Sequence, residues 1–129
     1  MARWLVDGMN VIGSRPTGWW RDPPSAVREF IRDLRAFADA SGDDVLVVFD
    51  IHPPDVQPGR KGGVEVGFAR RRGRNAADDE IVRRLQAMAD RGSVRVVTSD
   101  DDLARRALEL GAPVMGAGEF RRRMDDHLA

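Results

Sequence analysis

The sequence predicts an α/β fold in which a mainly parallel central sheet is covered by helices on both faces. Short apolar runs alternate along the chain with longer segments whose apolar residues recur at helical spacing. This alternation is typical of parallel strands that are joined by crossover helices. The run 45–49 is apolar at every position, as expected of a central strand buried on both faces. No repeat or linker interrupts the pattern, so we expect one domain that covers residues 1–129.

The first strand and the first helix are separated by a predicted loop. Residues 3–7 (RWLVD) form a short buried strand. Residues 8–22 are rich in glycine and also contain a proline, which favours irregular structure. Asp22 before two prolines marks the start of a helix, and apolar residues at helical spacing continue to a stop at Gly42.

Two further strands are predicted after this helix. Residues 45–49 (VLVVF) form the first, and the alternating residues 64–69 (VEVGFA) form the second, toward an edge of the sheet. The stretch 50–63 between them is rich in proline and glycine, so we expect it to be irregular. Residues 70–74 form a basic loop that leads into the next helix.

The rest of the chain continues the same alternation. Asn75 is the predicted N-cap of one helix, and Ser99 or Asp100 is that of the next, which Gly111 ends. In chain order the predicted elements are helix 76–91, strand 94–98, a helix that runs from the cap at Ser99 or Asp100 to about 110, strand 113–115 and helix 118–128.

Four aspartates lie where a predicted strand ends or a predicted helix begins: Asp7, Asp50, Asp78 and Asp100. The carboxyl ends of parallel strands meet at one edge of a sheet, where α/β proteins bind their ligands. Carboxylates crowded together repel one another unless a cation neutralises them, and carboxylate oxygens suit Mg²⁺ or Mn²⁺. The sequence therefore predicts a site for Mg²⁺ or Mn²⁺, which Asp102 can also reach if the turn after Asp100 is tight.

Each of these acids also has a simpler interpretation when it is taken alone. Asp7 and Asp50 fit ordinary turn residues. Asp78 and Asp100 fit the first turn of a helix, where acids cap the chain and complement the helix dipole. Only the convergence of the four acids favours a metal site.

Four segments follow one another in an order that resembles one family. They are WLVDGMNVIG, VLVVFD, VEVGFARRRGRNAADDEI and VRVVTSDDDLARRALELGAPVMGAGEF, and together they resemble the YacP-type NYN domains of the PIN-like nuclease superfamily. The resemblance implies a PIN-like three-layer α/β/α fold and a metal-dependent endoribonuclease. It implies catalytic roles for Asp7, Asn10, Asp50, Asp78, Ser99 and Asp100, and metal ligands among Asp7, Asp50, Asp78, Asp100 and Asp102.

An acidic site needs positive charge beside it if it is to bind RNA. Residues 60–74 contain six basic residues and one acid, and the loop after Asp7 adds arginines and two tryptophans that could stack on unpaired bases. We expect one of these tryptophans to be in the core and one to be partly exposed, and His52 to be a turn residue without a role. The predicted RNA-binding residues are Arg15, Trp19, Trp20, Arg21, Arg60, Lys61, Arg70 and Arg74.

Composition excludes several other classes of protein. The chain has no cysteine, which excludes disulfides and thiolate metal sites. No apolar run is long enough to span a membrane, and the first residues lack the apolar stretch of a signal peptide. We therefore expect a cytoplasmic protein that binds RNA and no membrane. The sequence also permits a homodimer.

Three functional hypotheses follow from these residues. The first is a metal-dependent endoribonuclease that hydrolyses RNA phosphodiester bonds at the aspartate cluster. The alternative is a catalytically inactive RNA-binding module with a PIN-like fold. The third is a phosphatase with Asp7 as its nucleophile, although that chemistry usually requires a second acid two residues later, where this chain has Met9.

Overall fold

Six strands alternate with five helices along residues 1–73 and 75–129, which this computed structural model describes. The strands are β1 (Arg3–Asp7), β2 (Asp44–Phe49), β3 (Gly59–Lys61), β4 (Val64–Phe68), β5 (Val94–Val97) and β6 (Val114–Met115). The helices are α1 (Gly8–Ile12), α2 (Pro23–Ser41), α3 (Ala76–Gln86), α4 (Asp101–Glu109) and α5 (Ala117–Leu128).

The strands form one sheet in the order β3-β4-β2-β1-β5-β6. All neighbouring strands are parallel except β3, which runs antiparallel to β4. Strand β1 lies between β2 and β5, with Asp7 opposite Val48 and Val6 opposite Val97. The carboxyl ends of these three central strands therefore lie at the same edge, and the predicted mainly parallel sheet is confirmed.

Two apolar layers hold the helices against the two faces of the sheet. On one face α1, α2 and α5 pack on side chains such as Trp4, Val47 and Phe49. On the other face α3 and α4 pack on side chains such as Leu5 and Val48. Each fully buried large apolar side chain contributes roughly 1.5–3 kcal/mol to stability. The predicted three-layer α/β/α arrangement is thus confirmed.

Helix α2 shows why these segments become amphipathic helices on the surface of the sheet. Its apolar residues recur at helical spacing and form one buried stripe: Val27, Phe30, Ile31, Leu34, Phe37 and Ala38. The Asp22 carboxylate accepts a hydrogen bond from the Ser25 backbone N–H at 3.2 Å and so caps the helix. Within residues 1–73 and 75–129, no helix is both long enough and apolar enough to cross a membrane.

The structure corrects three of the sequence-based boundaries. The predicted loop 8–22 begins with helix α1, because burial of Val11 against the core outweighs the weak helix propensity of the glycines. The stretch 50–63 is not wholly irregular, since it contains β3, and β4 is therefore an inner strand rather than an edge strand. Helix α3 ends at Gln86 instead of 91, and a separate 3₁₀ turn covers Arg91–Ser93.

Candidate active site

The four predicted aspartates line one open cavity of about 270 Å³. Asp7 ends β1, Asp50 follows β2, Asp78 lies in the first turn of α3, and Asp100 precedes α4. Met9 and Asn10 of α1 form part of the same wall. The parallel order of the central strands thus brings together acids that lie up to 93 positions apart in the sequence.

Asp7 is held at the junction between β1 and α1. A Cβ atom at Gly8 would lie 2.4 Å from Cε1 of Phe49, so only glycine allows α1 to start this close to the sheet. Asp7 is 6% exposed, and its Oδ2 accepts a hydrogen bond from the Thr98 hydroxyl at 3.0 Å. The carboxylate is therefore buried and fixed in direction.

Burial and like charge make this cavity electrostatically costly. The pKa of Asp7 is raised to about 7, first by burial and then by the charges of Asp78, Asp100 and Asp50, while the Thr98 hydrogen bond opposes the shift. The pKa of Asp78 is also raised, first by burial and then by Asp100, while Arg106 opposes the shift. A cation in the cavity would relieve both effects.

Thr98 joins the two acids that follow neighbouring strands. Its hydroxyl donates to Asp7 and accepts a hydrogen bond from the Asp100 backbone N–H at 3.1 Å. Asp100 Oδ1 in turn accepts from the Leu103 N–H at 2.8 Å and caps α4, which decides between the two predicted N-caps, Ser99 and Asp100. Sequence reasoning did not identify Thr98, although its position between a buried strand and the Ser-Asp pair was the available signal.

Asn10 and Ser99 connect the wall of the cavity to the start of α5. The Ser99 backbone N–H donates to Oδ1 of Asn10 at 2.7 Å, which leaves the Asn10 NH₂ group as its donor. The Ser99 hydroxyl accepts a hydrogen bond from the Ala117 N–H at 2.9 Å. Asn10 lines the cavity, whereas the Ser99 hydroxyl anchors the start of α5.

The donor set suits a hydrated divalent ion better than a closed metal cage. No three His, Cys, Asp or Glu side chains in the described ranges are grouped so that they could hold a metal ion together. The cavity nevertheless offers several carboxylate oxygens, and Mg²⁺ keeps most of its waters and needs only one or two carboxylates directly. The carboxylate of Asp102 instead pairs with Arg105 at 2.5 Å, is 59% exposed, and does not line the cavity.

The basic loop after β4 lies beside this cavity. Residues 70–73 line a groove of about 810 Å³ together with Ala69, Ile51 and His52, and the groove shares Asp50 with the cavity. The side chain of Arg70 is 71% exposed. Arg74, also predicted to bind RNA, lies outside the described residues.

The other two basic residues of the 60–74 segment lie elsewhere. Strand β3 runs antiparallel, so Lys61 pairs in register with Val64, the first residue of β4. Arg60 contacts the carboxylate of Asp44, the first residue of β2, at 2.7 Å. Both therefore lie toward the amino end of the parallel strands, and the expected single basic cluster beside the site does not include them.

The predicted RNA-binding residues after α1 differ in their exposure and in their contacts. Arg15 pairs with Asp125 of α5, whereas Arg21 is exposed. Trp19 is half-buried and Trp20 is 54% exposed, and their rings meet edge-to-face at 6.1 Å. The expectation that one of them belongs to the core is wrong.

Comparison with known proteins identifies a family and similar solved structures. Residues 4–128 match the YacP-like NYN domain. The crystal structure of Rae1 (YacP) from Bacillus subtilis is 26% identical, with a TM-score of 0.77, over 98% of this chain and 75% of that one. The W164L mutant of the same protein is 28% identical, with a TM-score of 0.75, over 96% and 74% of the two chains. No curated protein matches this chain.

Proposed function

Because the chain belongs to the YacP-like NYN domain family, a nuclease-type family, we propose that it is a divalent-metal-dependent endoribonuclease. The observation that carries this proposal is the cavity lined by Asp7, Asp50, Asp78 and Asp100. Such a concentration of buried and half-buried carboxylates destabilises the fold unless it serves a cation. The substrate would be RNA, and the reaction would be hydrolysis of a phosphodiester bond.

Asp7 and Asp100 are the residues that would hold Mg²⁺ or Mn²⁺ directly, with Asp50 and Asp78 acting through bound water. The ion would supply positive charge that offsets the carboxylates and the charge developing on the phosphate. The Thr98 hydroxyl, which contacts the Asp7 carboxylate and the Asp100 backbone N–H, would help to position both ligands. Asn10 would donate from its NH₂ group to a phosphate oxygen at the cavity wall.

The surrounding arginines would attract the RNA backbone that the carboxylates repel. Arg70 and Arg72 line the groove that continues from Asp50, so the chain offers positive charge directly beside the acids. The strand would thus run along the groove and present one phosphate to the cavity.

The test is cleavage of fluorescently labelled single-stranded RNA in Mg²⁺ or Mn²⁺ by the wild type and the Asp100→Asn variant. Asparagine can still accept from Leu103 and cap α4, so the variant should fold but lose activity by about 100-fold or more. Asp126→Asn, an exposed residue of α5, is the matched control and should retain activity. Undiminished cleavage by Asp100→Asn, or in excess chelator, would refute the proposal.

The alternative of an inactive RNA-binding module is favoured by one observation, the lack of a preformed group of three metal-binding side chains in residues 1–73 and 75–129. It predicts metal-independent RNA binding with no cleavage product. The same assay, run beside a binding measurement, separates the two.

A further inference from the structure

An aromatic series leads from the core to the surface of the basic groove. Phe49 is fully buried, and its ring lies 6.1 Å from that of Phe68. The imidazole of His52 stacks on Phe68 with 3.7 Å between ring centroids and an angle of 8° between the planes. Because His52 is exposed, its ring is the outermost member of the series.

The His52 ring is fixed before any ligand arrives. Its Nε2 donates a hydrogen bond to the Val56 carbonyl oxygen at 2.7 Å, within the loop that follows β2. The next residue, Pro53, is buried and anchors the same loop. A ring held on two sides loses little conformational entropy when a flat ligand stacks on it, which favours binding.

Arginine side chains line the groove beside this ring. The groove that His52 lines is also lined by residues 70–73 and is continuous with the carboxylate cavity through Asp50. The lining contains three arginines, Arg70, Arg71 and Arg72, and one carboxylate, that of Asp50. Cationic side chains are therefore in excess within the groove. A flat ring beside excess positive charge suits a base and its phosphate together.

We propose that this groove binds the single-stranded RNA next to the cleaved phosphate, with one base stacked on His52 and neighbouring phosphates held by Arg70 and Arg72. The inference rests on the proposed function, because it assigns the substrate strand of the same site. Stacking on His52 requires an unpaired base, since the bases of a duplex are already stacked on one another. The groove therefore selects single-stranded over double-stranded RNA.

The test measures binding of a fluorescein-labelled oligoadenylate of about eight nucleotides by anisotropy. Asp100→Asn serves as the parent, so that binding is recorded without cleavage. His52→Ala should weaken binding by about fivefold or more, whereas His52→Phe, which keeps a stacking ring, should stay within about twofold of the parent. Arg72→Ala should weaken binding and reduce its dependence on salt.

His127→Ala is the matched control. His127 also packs against a phenylalanine ring, Phe37, but it lies on α5 and does not line the groove. It should leave binding unchanged. A 2-aminopurine base in the oligonucleotide should lose fluorescence on binding the parent and the His52→Phe variant, and retain it with His52→Ala.

The inference is overturned if His52→Ala binds as the parent does, if His127→Ala loses as much, or if the annealed duplex binds equally well. Loss of binding by His52→Phe together with His52→Ala would also overturn it, because a ring alone should suffice. These outcomes are separate from the fate of the proposed function. If the wild type binds RNA by stacking but cleaves none, the proposed nuclease activity is refuted, whereas the proposed binding of RNA in the groove still holds.

Discussion

At the scale of single residues, Asp7 shows how stability and the proposed activity oppose each other. Its pKa is about 7 in the folded chain, whereas the ordinary value for an aspartate is 3.8. The folded state holds the Asp7 proton more tightly than the unfolded state does. The contribution of protonated Asp7 to the free energy of unfolding is therefore complete below about pH 4 and is lost as the pH rises through 7. At roughly 1.4 kcal/mol per pKa unit, ionised Asp7 costs a few kcal/mol.

Replacing Asp7 by asparagine should therefore stabilise the fold without metal. Asparagine is neutral and can still accept the Thr98 hydrogen bond, so Tm at about pH 8 in chelator should rise by several degrees, at about 3–5 °C per kcal/mol. The gain should shrink toward about pH 5, where folded Asp7 is protonated. Thermal melts across this range measure both effects, and a lower Tm for Asp7→Asn at high pH would contradict the account.

The placement of single residues was predictable where a local sequence pattern fixed the direction of the side chain. Ile81 and Val82 face the core, which places Asp78 inward, as predicted. Asp79 lies outward but pairs with Arg71 and Arg106. Thr98 has only one local signal, its position before the Ser-Asp pair, and its role depends on a partner, Asp7, that is 91 positions away.

At the scale of elements, the junction of β1 and α1 positions the first acid of the cavity. The sequence indicated a turn at Gly8, but the reason for glycine there is the nearby Phe49 ring rather than a left-handed backbone. That ring belongs to a different strand, so only the packed structure reveals the constraint.

Gly8→Ala should destabilise the protein even though alanine is the better helix former. The added methyl group would lie 2.4 Å from Phe49, and relieving this clash should cost about 1–3 kcal/mol. Gly92→Ala is the matched control, because a Cβ there meets nothing closer than 4.0 Å. Urea unfolding compares the variants, and equal stability of the two would show that the junction is not constrained as described.

Strand β3 illustrates an element whose signal was present in the sequence. Gly62 and Gly63 form the two-residue turn between β3 and β4, and Gly62 has a φ of 62°. A two-glycine turn is a recognised hairpin signal. The proline-rich residues before it favoured irregular structure, and the hairpin is what carries Arg60 and Lys61 away from the carboxylates.

At the scale of the whole molecule, a net charge of zero conceals a separation of charge. The acids gather in one cavity, and an excess of arginine lies along the groove beside it. Strand alternation predicted the parallel sheet and hence the meeting of the acids. It did not predict the strand order, which depends on long-range packing and decides which basic residues lie near the site.

The most direct test of the central claim is a crystal of the protein soaked in MnCl₂ and measured near the manganese absorption edge. The account predicts an anomalous peak in the cavity, bound directly by Asp7 and Asp100 and through water by Asp50 and Asp78. The same soak of Asp100→Asn should weaken or remove the peak. A map of the wild type with no manganese in the cavity, while the four carboxylates remain in place, would contradict the account.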